Sequence, residues 1–194
     1  MSLSFSNPNV TTWATLVRDL LRECGMGDVW LNQYVSDEGI FKTVFRQRLY
    51  DMYSQNWCSD ISITSSYRLY KHLKNIFEFE PYLDLEKKHL RIALSKIRLS
   101  SHLFMIERGR WEKGGIERKE RKCCVCGVIE DEFHCLFECP RFMEERKGCV
   151  DSRMRDKPSM YKFLAILSSK DISIQKGLGT LCFRVHKKYK ELLL

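Results

Sequence analysis

The run Cys123-Cys124-Val125-Cys126-Gly127, followed by His134 and then Cys139-Pro140, constrains the fold of this chain more than any other stretch. Its spacing is C-x2-C-x7-H-x4-C. Three thiolates and one imidazole are a standard tetrahedral set for a structural zinc ion, so Cys123, Cys126, His134 and Cys139 are the candidate ligands. The two-residue gap lets a tight turn place both sulfurs on one side of a metal. Gly127 suits that turn because glycine accepts positive φ at little cost. Two further cysteines leave alternatives open. Cys124 with Cys126 would make a poorer chelate than Cys123 with Cys126, whereas Cys135 shares a helix face with Cys139 at i, i+4. His134 and Cys139 lie about 140° apart around a regular helix, so that route needs a bend or a tightened last turn. Phe133, Leu136 and Phe137 are expected to pack the site against the rest of the chain.

Cysteine usage supports the metal. There are nine cysteines in 194 residues, and the opening MSLSFSNPNV has no basic segment followed by a long apolar run, so no signal peptide is expected. Cysteines in a reducing compartment point to metal binding rather than a disulfide framework. The expected location is intracellular, nuclear or cytoplasmic, and not secreted. Cys24, Cys58, Cys149 and Cys182 stand alone and are expected as small buried apolar residues. No window approaches the roughly 20 apolar residues a membrane span needs.

The flanking sequence is helical in period. Trp13, Leu16, Val17, Leu20, Leu21 and Cys24 form one apolar stripe, capped by Asn9, Thr11 or Thr12 and ended by Gly25. A short turn over 28–32 precedes a longer helix from about Asp37 to Gln55, with Trp57 and Ile61 continuing it after a break. Tyr67–Leu73 reads as a short helix, and the alternating Ile76–Pro81 as extended chain. Asp84 is expected to cap a helix from Glu86 to about Leu99, with Leu90, Ala93, Leu94 and Ile97 facing inward. Beyond the cysteine cluster, helices are expected over Pro140–Gly148, after a cap within 156–159, and from Ile172 to about Leu193. The last has Ile174, Leu178, Leu181, Val185 and Leu192 on one side, and Gly177 and Gly179 weaken its first half. The fold class is therefore mainly α: a helical bundle with a small irregular zinc knuckle over 123–139. Two segments are expected, 1–85 and 86–194.

Charge is unevenly distributed along the chain. Residues 86–122 hold twelve Lys and Arg against five Asp and Glu, and so carry most of the net +8. A concentrated basic stretch attracts polyanions. The candidate phosphate contacts are Lys87, Lys88, Arg91, Lys96, Arg98, Arg108, Arg110, Arg118, Lys119, Arg121 and Lys122, with Trp111 and His102 as stacking groups. By contrast Glu130, Asp131, Glu132 and Glu138 lie between the ligands with no Lys or Arg among them. That loop is expected to repel phosphate, leaving the metal to anchor the end of a basic arm.

Several of these strings together resemble a known family. Ala93–His102 (ALSKIRLSSH), Ile106–Trp111 (IERGRW), Glu120–Cys123 (ERKC) with Cys126, Glu130–His134 (EDEFH) and Glu138-Cys139 resemble the C-terminal tail of non-LTR (LINE-type) retrotransposon reverse transcriptases. Val17–Leu21, Gly27–Gln33 and Phe45–Asp51 are similar to the segment between polymerase and zinc motif in the same family. The resemblance implies that Cys123, Cys126, His134 and Cys139 hold Zn2+ and that Cys135, where the family usually has a large apolar residue, is a bystander. It further implies binding of template RNA or target DNA, with the polymerase part of a reverse transcriptase as a partner. The chain has no Asp-Asp pair and no nuclease-like acidic set, so it looks like a detached tail.

Catalysis is not expected. A closed four-ligand site leaves no position for water, and no H-x-E precedes a C-x-x-C as in a deaminase. Two readings remain: a zinc-binding module that binds nucleic acid, or a structural or protein-interaction helical domain in which zinc only stabilises the fold.

Overall fold

Thr12 starts the first helix. Its hydroxyl accepts from the Thr15 amide at 3.2 Å and Thr15 Oγ1 accepts from the Thr12 amide at 2.9 Å, a reciprocal pair that satisfies open amides of the first turn. The computed structural model describes residues 12–194, so Asn9 and Thr11 lie outside the described residues. Helix α1 spans Trp13–Glu23 and stops ahead of Gly25, whose φ is +65°. Of its stripe Leu21 and Cys24 are buried, while Trp13 and Leu16 are exposed. Helix α2 covers Gly27–Asn32 and α3 covers Glu38–Ile63. The latter is one helix of 26 residues with no break near Trp57, because neither proline nor glycine follows Gly39 within it. Arg48 reaches back to the end of α1 and donates to the carbonyls of Cys24 and Gly25 at 2.7 and 2.9 Å.

The chain divides into two compact units, the first ending at Cys58 and the second running from Ser59 to Leu194. The division expected at 85/86 therefore moves toward the N-terminus. The physical reason is burial: Leu69, Leu73, Tyr82 and Leu85 belong to the same core as the helices that follow.

In the second unit α4 is Tyr70–Leu73. The chain is then irregular until Pro81 opens a 3-10 turn over Pro81–Asp84. Helix α5 runs Lys88–Arg98 with Lys87 at its cap position and no side-chain cap, so Asp84 does not have the expected role. Leu90, Ala93, Leu94 and Ile97 are buried as the period requires. Short helices α6 (Met105–Arg108), α7 (Met143–Arg146) and α8 (Ser152–Arg155) precede α9 (Met160–Leu167) and α10 (Ile172–Glu191). The helix expected over Pro140–Gly148 is a 3-10 turn, Pro140–Phe142, followed by α7.

Helix α10 is the spine of this unit. Asp171 Oδ1 caps it by accepting from the Ser173 and Ile174 amides at 2.7 and 3.3 Å. Its buried face is Gln175, Leu178, Gly179, Leu181, Cys182, Val185 and Tyr189, rotated from the expected stripe so that Ile174 and Leu192 are exposed. Gly177 and Gly179 are there for space. A Cβ at Gly177 would sit 2.2 Å from the Cys149 carbonyl oxygen, and one at Gly179 would sit 3.1 Å from Leu90 Cβ on α5.

The fold is mainly α-helical. The one β pairing among the described residues is an isolated antiparallel bridge between Lys122 and Ile129, at the base of the cysteine turn. Cys123, Cys135, Leu136, Phe137, Cys139 and Phe142 are part of the main core together with Leu94, Phe163 and Leu181. The knuckle is thus built into the helical body.

Candidate metal centre and the surrounding charges

The bridge at Lys122 and Ile129 holds a tight turn. The Cys123 amide donates to Val128 O and the Gly127 amide to Cys123 O, both at 2.8 Å. Gly127 takes φ +70°, the conformation its lack of a Cβ makes inexpensive. This places Cys123 and Cys126 on one side.

The other two candidates come from a π turn over His134–Glu138. Asp131 Oδ1 accepts from the His134 amide at 2.9 Å, and the Cys139 amide donates to His134 O at 2.7 Å. That second bond spans five residues, so the turn is widened where a bend or tightened turn was expected. Widening brings the residue five along to about one full turn on. His134 and Cys139 consequently face the same way.

One ligand atom from each of Cys123, Cys126, His134 and Cys139 lies within 4.8 Å of the others, a group that could hold a metal ion. Cys139 Sγ is 3.8 Å from Cys123 Sγ and 3.9 Å from Cys126 Sγ. Sulfurs bonded tetrahedrally to zinc at about 2.3 Å are about 3.8 Å apart. The histidine also fits. Its Nε2 is buried with no hydrogen-bond partner, while Nδ1 lies 3.4 Å from Glu138 Oε2, the carboxylate support that metal-binding imidazoles commonly have. Burial, followed by the neighbouring Cys123 sulfur, pushes the Cys139 thiol up to about 12. A bound cation must therefore displace protons.

The surplus cysteines turn elsewhere. Cys135 is fully buried in the core, and Cys124 is exposed, its sulfur accepting from Arg141. Arg146, which no sequence pattern singled out, is buried beneath the π turn and donates to the carbonyls of Cys139 and Cys135 at 2.5 and 3.5 Å. It satisfies the carbonyl end of the turn where a cation is favoured.

The acidic loop is only in part the phosphate-repelling surface its sequence implies, since Glu138 is exposed. Glu130 and Glu132 are both buried. Glu130 Oε1 accepts from the Met105 amide at 3.0 Å and from the Tyr189 hydroxyl. Glu132 accepts from Arg68 Nη2 at 2.8 Å, Ser100 Oγ at 3.0 Å and His102 Nε2 at 3.0 Å. Burial alone would raise this carboxyl, but the His102 hydrogen bond and the Arg68 charge outweigh it and hold it at about 2. Arg68 also donates to Glu107 at 3.1 Å, and Glu107 accepts from Arg110 at 3.0 Å. Ser100, His102, Glu107, Arg110 and Glu132 thereby meet in one network. His102 is committed to it and is not free to stack on a base.

The expected phosphate contacts separate into three groups. Arg98 is a correction: it is buried, 2.5 Å from Glu80 Oε2, donates to Leu167 O and lies over the Tyr82 ring. Arg91 and Arg121 are half-buried and tie loops together, Arg91 through Leu85 O at 2.7 Å and Arg121 through the Ile116 and Ile106 carbonyls at 2.8 Å. Arg108 is half-buried and 3.7 Å from Glu112. Lys87, Lys88, Arg118, Lys119 and Lys122 are exposed, the last two beside Glu117 and Glu120. The third group converges. Lys96, Arg110 and Trp111 line one groove of about 660 Å³ with His186 and Lys190, two residues that the linear charge count passed over.

No helix among the described residues is long and apolar enough to cross a membrane. Comparison with protein-family models, with curated proteins and with solved structures gives no match.

Proposed function

We propose that this chain is a non-catalytic zinc-binding module that binds nucleic acid, either template RNA or target DNA, and that it derives from the tail of a non-LTR retrotransposon reverse transcriptase. The observation carrying this proposal is segregation of charge. Glu107, Glu130 and Glu132 are buried among hydrogen-bond donors, whereas Lys87, Lys88, Arg118, Lys119 and Lys122 stay at the surface. A chain with net charge +8 that turns Glu107, Glu130 and Glu132 inward presents a positive field to polyanions.

Zinc is the proposed metal because a three-sulfur, one-nitrogen set is too soft for calcium or magnesium. Cys123, Cys126, His134 and Cys139 would hold it, and its contribution is structural: all four positions are taken by protein. No catalytic role is assigned. The proposed setting is intracellular, nuclear or cytoplasmic, next to the polymerase part of a reverse transcriptase.

The test is binding of a structured RNA and of a DNA duplex at several salt concentrations. Each phosphate contact adds about 0.7–0.9 to the slope of log affinity against log salt. Reversing Lys87, Lys88, Lys119 and Lys122 to Glu is expected to abolish binding while leaving the metal in place. A second reading, a purely structural or protein-interaction domain, draws on the seating of Cys123 and Cys139 in the core. It predicts no salt-dependent binding and no effect of the charge reversal.

A further inference from the structure

We propose that the groove lined by Lys96, Arg110, Trp111, His186 and Lys190 holds an unpaired stretch of nucleic acid, with a base stacked on Trp111 and the adjoining phosphates on Lys96 and Lys190. This rests on the nucleic-acid function proposed above and specifies the form of the ligand: single strand rather than duplex.

Four observations support the assignment. Trp111 is 84% exposed, although Phe104 and Ile106, close by in sequence, are fully buried. Its indole lies at a groove that also carries the cations Lys96, Arg110 and Lys190. Second, Lys96 and Lys190 are in no ion pair among the described residues, so their ammonium groups are available to an anion. Third, Arg110 is fixed rather than free: Glu107 at 3.0 Å and Ser65 at 2.5 Å orient its guanidinium. Glu107 is the carboxylate in the lining, and it is already shared between Arg68 and Arg110. Fourth, His186 belongs to the same lining, and its Nδ1 is buried with no hydrogen-bond partner.

The combination selects a strand with open bases. Cations alone bind any polyanion, whereas an exposed aromatic beside them gains only from a base whose face is uncovered. In a duplex both faces are stacked on neighbours. The groove volume of about 660 Å³ falls within the range of about 300–1,000 Å³ typical of ligand sites, enough for a nucleotide and its phosphates.

The experiment measures fluorescence anisotropy of labelled 12-residue RNA and DNA strands, and of the matching duplexes, on the zinc-loaded chain, with Trp111→Ala, Trp111→Phe and Lys190→Glu variants. Single strands of at least one kind are expected to bind more tightly than the duplex. Trp111→Ala should weaken strand binding about tenfold and duplex binding hardly at all. Trp111→Phe should retain most of the affinity, and adenosine monophosphate should compete only weakly. Equal affinity of wild type and Trp111→Ala for single strands would overturn the proposal, as would a preference for duplex or competition by the mononucleotide as strong as by the strand. If wild type binds no nucleic acid of any form, the broader function fails as well; if duplex binds and the strand-specific effects are absent, only the groove assignment fails.

Discussion

Lys96 and Arg98 lie two residues apart on α5 and do different work. Arg98 stands one turn beyond Leu94, on the face that packs inward, and there it balances Glu80. Breaking a buried ion pair costs about 3–5 kcal/mol; Glu80 keeps Lys74 Nζ at 3.4 Å, which reduces that cost, and Arg98→Ala should still lower the urea midpoint of the zinc-loaded chain. Lys96→Ala should change stability by no more than about 0.5 kcal/mol. His186 offers a test by titration. Burial, then the charges of Lys96, His102 and Lys190, lower it from the ordinary value of 6.5. In the unfolded chain the ring takes up its proton first as pH falls. The folded state therefore loses stability as pH drops from 6.5 through the lowered value. An NMR titration should find the His186 midpoint below 6.5, and moved upward once a bound strand neutralises the two lysines.

At the scale of elements, two departures from regular helix do specific tasks. The π turn over His134–Glu138 solves a spacing problem, since two residues five positions apart do not share one face of an α-helix. The glycines of α10 solve a packing problem. Replacing Gly177 by Ala would gain roughly 1 kcal/mol of helix propensity, but the new Cβ would meet the Cys149 carbonyl oxygen at 2.2 Å. Overpacking of this kind costs about 1–3 kcal/mol, and against backbone there is no side chain to move aside. Gly177→Ala is expected to destabilise the chain on balance. Gly179→Ala, with its nearest contact at 3.1 Å, should be milder in the same denaturation experiment.

At the scale of the molecule the candidate metal site and the core are one structure. Cys123 and Cys139 are buried in the same cluster as Leu94, Phe142, Leu178 and Leu181. Binding energy at such a site is folding energy. Chelation, or Cys126→Ser, is therefore expected to strip hydrogen-exchange protection from the core around Leu136, Phe142 and Leu181. Native mass spectrometry should count one zinc per chain in wild type, Cys124→Ser and Cys135→Ala, and none in Cys126→Ser. Affinity should fall as pH falls, because thiols such as Cys139, held at about 12 by burial, must give up protons to the metal.

The sequence by itself determined what is local and periodic. The 3.6-residue spacing of apolar side chains marked α1, α5, α9 and α10, and the cysteine and histidine spacing marked the four residues that the fold brings together. Tertiary structure alone decided the fate of charges. Whether Arg98, Glu130 or Glu132 faces water depends on Glu80, Tyr189 and Arg68, partners too far along the chain for any local pattern to register. The same holds for the groove, where Lys96 and Trp111 meet His186 and Lys190 only because α5 packs against α10. A charge count along the chain finds the basic stretch from Lys87 to Lys122, and packing determines which of those cations remain at the surface to meet a phosphate.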